Sequence, residues 1–240
     1  MKRLGTLYGI GVGPGDPELL TLKAVKILAS LEVVFAAAST KNDHSLALTV
    51  VRNHLTAGAQ VKQLRFPMTQ SQPVLMEAWE SNAREVLEVL RTGLDAGFVT
   101  LGDPLTYSTF GYLVRMIEKL APEAEVVTIP GVTAYNAAAA ALNLPLVEGK
   151  ESLLVISGVS EQAEIKELAA RADNMVILKT YRDFERISCT LEELGLDRQA
   201  ILVSRCGHED ERIEKDIRTL RGENMPYLSL LIIKKKTSKI

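Results

Sequence analysis

The sequence predicts an α/β protein of two domains, with a largely parallel sheet in the first and a mixed sheet in the second. Three observations carry that expectation. Short β-rich runs alternate with longer segments of helical period; a polar, proline-containing segment interrupts the alternation near the middle; and a second alternating series closes on an apolar strand.

The first series opens with "TLYGIGVG" and a helix over residues 19–29, followed by "EVVFAAAS", a helix over 46–55 and "VKQLRF". A long amphipathic segment over 74–90 leads to "GFVTLGDP", a helix over 109–120 and "EVVTIPG". Five strands joined by crossover helices imply a mostly parallel sheet. Two residues can cap the first helix, Asp16, which puts Pro17 at the first helical position, or Thr21 after a non-helical "PELL", and Thr21 is the expected cap. The polar stretch "KLAPEAE", Lys119 to Glu125, is the linker candidate, giving domains over 1–120 and 121–240. The second series contains an alanine-rich helix over 134–143, "SLLVISG", a helix over 161–170, "NMVILKTY", a helix over 184–194, "AILVSRC" and "YLSLLIIKK". One helix followed by four strands suggests a second, mixed α/β sheet. The terminal "KKKTSKI" reads as a solvated tail.

Composition narrows the function classes. The 240 residues are 47% hydrophobic and 24% charged, with a formal net charge of −2, the profile of an ordinary globular protein rather than a nucleic-acid binder resting on a basic surface. No apolar run reaches the roughly 20 residues that span a bilayer, and the start lacks a cleavage site after an apolar core, so the chain is expected to be cytoplasmic and free of membrane. Cys189 and Cys206 form neither a disulfide framework nor a zinc spacing, and His44, His54 and His208 are too scattered for a metal site, so no protein-bound metal is expected.

The stretch "YGIGVGPGDPELLTLKAV", Tyr8 to Val25, resembles a phosphate-binding loop and fails as one. The dinucleotide fingerprint needs a third glycine where this chain has Pro14 in one register and Asp16 in the other, and no Gly-Lys-Ser/Thr triplet follows. Pro14 and Pro17 have no N–H to offer an anion, and Asp16 adds a negative charge. A neutral or cationic ligand fits such a loop better than a phosphate. Three more turns, "TLGDPLTYST", "TIPGVTAYNAA" and "SRCGHEDER", also lie where predicted strands end, the place where open α/β sheets bind ligands.

Together "GIGVGPGDPELLTLKA", "LGDPLTYST", "IPGVTA" and the late "SLLII" strand resemble the tetrapyrrole methylases, the S-adenosylmethionine-dependent enzymes of cobalamin and sirohaem synthesis. Within that family "GTLYGIGVGPGDPELLTLKA" and "VILKTYRDF" are most similar to the branch that methylates C20 of precorrin-2 or of its cobalt-bearing counterpart, cobalt-factor II. The resemblance implies two α/β domains with the cofactor in the cleft between them, and a homodimer. It places cofactor contacts on Pro14, on Leu101, Gly102, Asp103 and Thr106, on Thr133 and Ala134, and near Lys179 (or Thr180) and Gly207. Asp103 can attract the cationic sulfonium or the amino group of the methionine moiety. Asp103 and Tyr227 are the candidates for removing a proton after methyl transfer, Tyr227 being set at the start of the last strand. A substrate with several carboxylates needs local positive charge, for which Arg65, Arg115, Arg182, Arg186 and Arg205 are the reservoir. Relatives acting on other ring carbons, on ribosomal RNA or on a modified histidine set the competing expectations, and a non-catalytic binding protein is the reading from outside enzymology.

Overall fold

The computed structural model describes residues 3–38, 45–159 and 161–235; His44, Ser39 at the end of the second predicted strand, and the tail from residue 236 onward lie outside them. The chain divides into two compact units, Met1–Thr133 and Ala134–Ile240.

Unit 1 is built from β1 (Leu7–Gly11), α1 (Leu22–Leu28), β2 (Val33–Ala38), α2 (Leu46–Val51), β3 (Gln60–Arg65), α3 (Gln72–Arg91), β4 (Ala96–Thr100), α4 (Phe110–Leu120) and β5 (Val126–Ile129). All five strands are parallel, in the order β3-β2-β4-β1-β5. Alternate residues of β1 serve opposite faces. Leu7 joins Phe35, Phe98 and the buried sides of α3 and α4, whereas Ile10 joins Val34, Val99 and the buried sides of α1 and α2. Both faces are covered, so the central strands read as apolar runs without polar alternation.

Local signals set the helix ends. Asp16 and Thr21 both act as caps: Asp16 accepts from the Glu18 N–H at 2.8 Å to start a single 3-10 turn, and Thr21 Oγ1 accepts from the Ala24 N–H at 3.1 Å to start α1. Helix α1 therefore begins at Leu22, later than the periodicity predicts, because Pro17–Leu19 turns separately. Helix α3 carries a proline in its first turn, buries Ala83, Val86, Leu87 and Leu90 at helical spacing, and stops where Gly93 turns left-handed at φ 90°.

The unit boundary differs from the expected 120/121. Strand β5 pairs in parallel with β1 through Leu7↔Val126 to Ile10↔Ile129, which keeps everything up to Thr133 in unit 1. The polar "KLAPEAE" is the short α4–β5 connection, not a linker.

Unit 2 contains α5 (Ala134–Leu142), β6 (Leu153–Ser157), α6 (Gln162–Arg171), β7 (Asn174–Leu178), α7 (Phe184–Glu193), β8 (Ala200–Ser204), β9 (Arg212–Glu214) and β10 (Ser229–Lys234). The sheet is mixed, in the order β6-β7-β10-β8-β9; β6 and β7 are parallel, and β10 runs antiparallel to both β7 and β8. Strand β9 adds a fifth member to the four expected. It is three residues long and lies antiparallel to β8 at the sheet edge. Helices α6 and α7 cover one face through Ile165, Ala169, Phe184, Ile187 and Leu191, packed on Met175, Ile177, Leu202, Leu231 and Ile233. All six residues of β10 are buried, Lys234 among them; its ammonium pairs with Glu151 at 2.6 Å, which also accepts from Asn174 at 2.9 Å. Among the described residues no helix is long and apolar enough to cross a membrane.

Candidate functional site

In unit 1 the site follows from strand order. Strand β1 lies between β4 and β5; its connection leads toward β2, while that of β4 leads the other way, to β5. The two connections diverge at the carboxyl ends of β1 and β4, where open sheets form a ligand crevice. Three glycines let the loops there meet backbone to backbone. A Cβ on Gly11 would stand 2.6 Å from both the Gly102 oxygen and the Gly131 nitrogen, and one on Gly131 would stand 2.7 Å from the Gly11 carbonyl carbon and nearer still to the Gly102 oxygen. Gly102, at φ 68°, donates its N–H to the Gly13 oxygen at 2.7 Å, and Gly13 returns a longer bond of 3.4 Å.

Asp103 ties two of these loops together. Its Oδ1 accepts from the Leu105 N–H at 2.9 Å and the Thr106 hydroxyl at 3.3 Å, and its Oδ2 accepts from the Gly131 N–H at 3.2 Å. Thr133 Cα lies 4.0 Å from where a Gly102 Cβ would stand. Pro14 is buried directly after the Gly13 bridge, and Leu101 packs on the α1/α2 face of the core. The expected cofactor residues Pro14, Leu101, Gly102, Asp103, Thr106 and Thr133 thus gather at one edge of unit 1, and Ala134, next along the chain, opens α5.

The unit 2 residues gather at one edge of their own sheet. Leu178, the last residue of β7, faces Leu230, and Ser204, the last of β8, faces Ser229, so the loops after β7 and β8 flank the start of β10. Lys179 and Gly207 lie in those loops, with φ of 58° and 76°. Lys179 is exposed as a residue, yet the protein around its ammonium disfavours the charge and lowers its pKa. Thr180 is buried, and its hydroxyl has no hydrogen-bond partner among the described residues. The Gly207 N–H donates to Glu211 at 2.8 Å. Burial, together with the charge and hydrogen bond of Glu211, pushes the Cys206 thiol up to about 12, which leaves it an inert structural thiol.

Strand β10 begins at Ser229, so Tyr227 stands ahead of it, 57% exposed, and is neither the first strand residue nor a core aromatic. Its ring lies 5.0 Å from that of Tyr181 at 58°, and the Arg182 guanidinium sits 5.2 Å over the Tyr181 ring. Desolvation raises the Tyr227 pKa, the neighbouring Tyr181 adds to the rise, and Arg182 opposes it. A phenol so held keeps its proton near neutrality and is suited to donate a hydrogen bond rather than to act as a base. Among the described residues no three metal-binding side chains cluster.

Residues 6–220 match the model of the tetrapyrrole (corrin/porphyrin) methylases. The chain belongs to the tetrapyrrole methylase family. Among its relatives, a cobalt-precorrin-2 C(20)-methyltransferase of Salmonella typhimurium is 34% identical over 97% of both chains. A probable cobalt-precorrin-2 C(20)-methyltransferase of Methanocaldococcus jannaschii is 35% identical over 98% of both. Among solved structures, a uroporphyrin-III C-methyltransferase of Thermus thermophilus in complex with S-adenosyl homocysteine superposes with a TM-score of 0.67 at 25% identity, covering 96% of this chain and 98% of its own.

For this tetrapyrrole methylase the structure also sorts the arginine reservoir. Arg205 pairs with Asp210 at 2.5 Å, and Arg186 lies 3.9 Å from both Glu161 and Asp183. Arg115 rests over Tyr112, Arg65 is exposed at the end of β3, and Arg182 has its contact with Tyr181. The sequence marks Arg182 and Tyr227 separately, and the ring that joins them in the structure is Tyr181. The signal was the pairing of the last strand: a β10 antiparallel to β7 sets "PY" before it beside "TYR" after β7.

Proposed function

We propose that this protein is an S-adenosylmethionine-dependent C-methyltransferase that methylates C20 of precorrin-2 or its cobalt-bearing counterpart in cobalamin biosynthesis, acting as a cytoplasmic homodimer. The observation that carries the reading is that nearly the whole chain aligns, at matching length, with relatives named for C20 methylation.

The unit 1 loops fit a sulfonium cofactor and not a nucleotide phosphate. Pro14 and Pro17 offer no N–H, the Asp16 carboxylate already caps a turn, and α1 starts well past the glycines with its first turn capped by Thr21. Pro14, Leu101, Gly102, Thr106, Thr133 and Ala134 would hold the cofactor largely through backbone groups, with Lys179 and Gly207 assigned to the same task in unit 2. When bound, S-adenosylmethionine supplies an electrophilic methyl group on a positively charged sulfur. Asp103 fixes the geometry of two loops through its three accepted hydrogen bonds and adds negative charge suited to a cation. Tyr227 Oη keeps its proton and donates to the acceptor. In the net change C20 exchanges its hydrogen, released as a proton to water, for the methyl carbon, and the electron pair of the broken S–C bond stays on the sulfur. An electron-rich macrocycle carbon needs little activation, so positioning and exclusion of water supply most of the rate.

The test is incubation with precorrin-2, metal-free and cobalt-bearing, using an isotopically labelled methyl donor and locating the label by NMR. Label at C20 in at least one acceptor is expected. Label at another ring carbon would overturn the C20 assignment, and no label on either, from folded protein that binds S-adenosylhomocysteine, would overturn the substrate.

A further inference from the structure

Tyr181 packs partly against the unit 2 core, but the Arg182 and Tyr227 side chains that meet it are not required by that core. Tyr227 is more than half exposed and Arg182 is exposed, so little stability follows from bringing them together. Arg171, Arg186, Arg205, Arg212, Arg218 and Arg221 each have a carboxylate within salt-bridge distance, whereas Arg182 and Arg198, among the described residues, have none, and of these two only Arg182 sits over an aromatic ring. The cation–π contact with Tyr181 uses none of the guanidinium's hydrogen-bond donors, which leaves the fork free for a carboxylate. Lys179, in the same turn, has no acidic partner among the described residues, and it occupies the left-handed region that side chains avoid. The adjoining Thr180 hydroxyl is buried and has no partner among the described residues.

We propose that Tyr181, Arg182 and Tyr227 form an acceptor subsite on unit 2 that takes one rim carboxylate of a flat, conjugated polycarboxylate on Arg182 and part of its ring face on the tyrosine pair, which makes Arg182 a specificity-determining residue. The inference rests on the methyltransferase reading above and names how its substrate is recognised. The exposed Tyr227 ring suits a flat π-system, and the Arg182 guanidinium suits an anionic side arm. The Tyr227 hydroxyl adds a hydrogen-bond donor near enough to Arg182 to feel its charge.

The probe is uroporphyrin, a stable planar macrocycle with carboxylates on every pyrrole ring, and binding is read by its fluorescence anisotropy. Arg182→Gln is expected to weaken uroporphyrin binding about tenfold, the scale of one lost charge-assisted hydrogen bond. Arg182→Lys should recover only part of that loss, and coproporphyrin, with fewer carboxylates, should be less sensitive to the change. Affinity for S-adenosylhomocysteine, measured by calorimetry, should not move. Arg221→Gln, at an arginine already paired with Glu192, should alter neither. Wild-type affinity for uroporphyrin in Arg182→Gln, an equal loss in Arg221→Gln, or a parallel loss of S-adenosylhomocysteine binding would each overturn the subsite. C20 labelling by wild type together with an Arg182→Gln variant of unchanged acceptor KM would overturn the subsite alone. Arg182-dependent uroporphyrin binding without any C20 labelling would overturn the C20 reaction and leave the subsite standing.

Discussion

Tyr107 follows the Asp103 staple with φ of 51°, a conformation that costs an ordinary side chain about 1–2 kcal/mol, and at 50% exposed its ring gains little from burial. Tyr107→Gly removes that cost but gives the unfolded chain more freedom, so it should melt within about 1 kcal/mol of the wild type. Tyr107→Ala keeps the unfavourable angle and loses the ring, and should melt below the glycine variant. Calorimetric melts of the two decide the matter: an alanine variant as stable as the glycine one would show that the backbone there is not strained. Asp103 illustrates how far residue roles can be read in advance. Its place in "LGDPLTYST" was legible, but its use was not, because the Gly131 N–H that it binds comes from a loop after another strand.

At the scale of elements, the same substitution should act with opposite sign at two glycines. Gly111 lies in the first turn of α4 with nothing within 4 Å of an added Cβ, so Gly111→Ala should stabilise by up to about 1 kcal/mol. Gly131→Ala drives a methyl into the Gly11 and Gly102 backbones and should cost about 3 kcal/mol, with loss of S-adenosylhomocysteine binding. Chemical denaturation of both variants checks this, and a mild Gly131→Ala would mean that the loops can spread. Most elements were visible beforehand because long periodic segments such as α3 and apolar strands such as β10 signal themselves. Strand β9 was not visible, since "RIE" is too short and polar to carry a period and forms only by pairing with β8. The early boundary had a similar origin: a polar, proline-bearing stretch marks a turn, and only the β1–β5 pairing shows on which side of it the sheet ends.

For the whole molecule, the resemblance implies a homodimer, and light scattering at micromolar concentration should report twice the 26.3 kDa chain; monomer alone would contradict it. The two-unit division was legible from the repeated strand–helix alternation, whereas the edge of unit 2 that joins Tyr181 to Tyr227 was not, because it depends on where the last strand inserts in its sheet. Strand order also governs how the molecule is made. On the ribosome β1 emerges first, yet both of its neighbours, β4 and β5, are synthesised much later. Through most of the translation of unit 1 an apolar strand therefore has two unpaired edges, the condition under which nascent chains aggregate or engage chaperones. The knot of Gly11, Gly102 and Gly131 cannot close until residue 131 has left the exit tunnel, so a chain that stalls short of it holds every earlier helix and strand of the unit but no completed loop cluster.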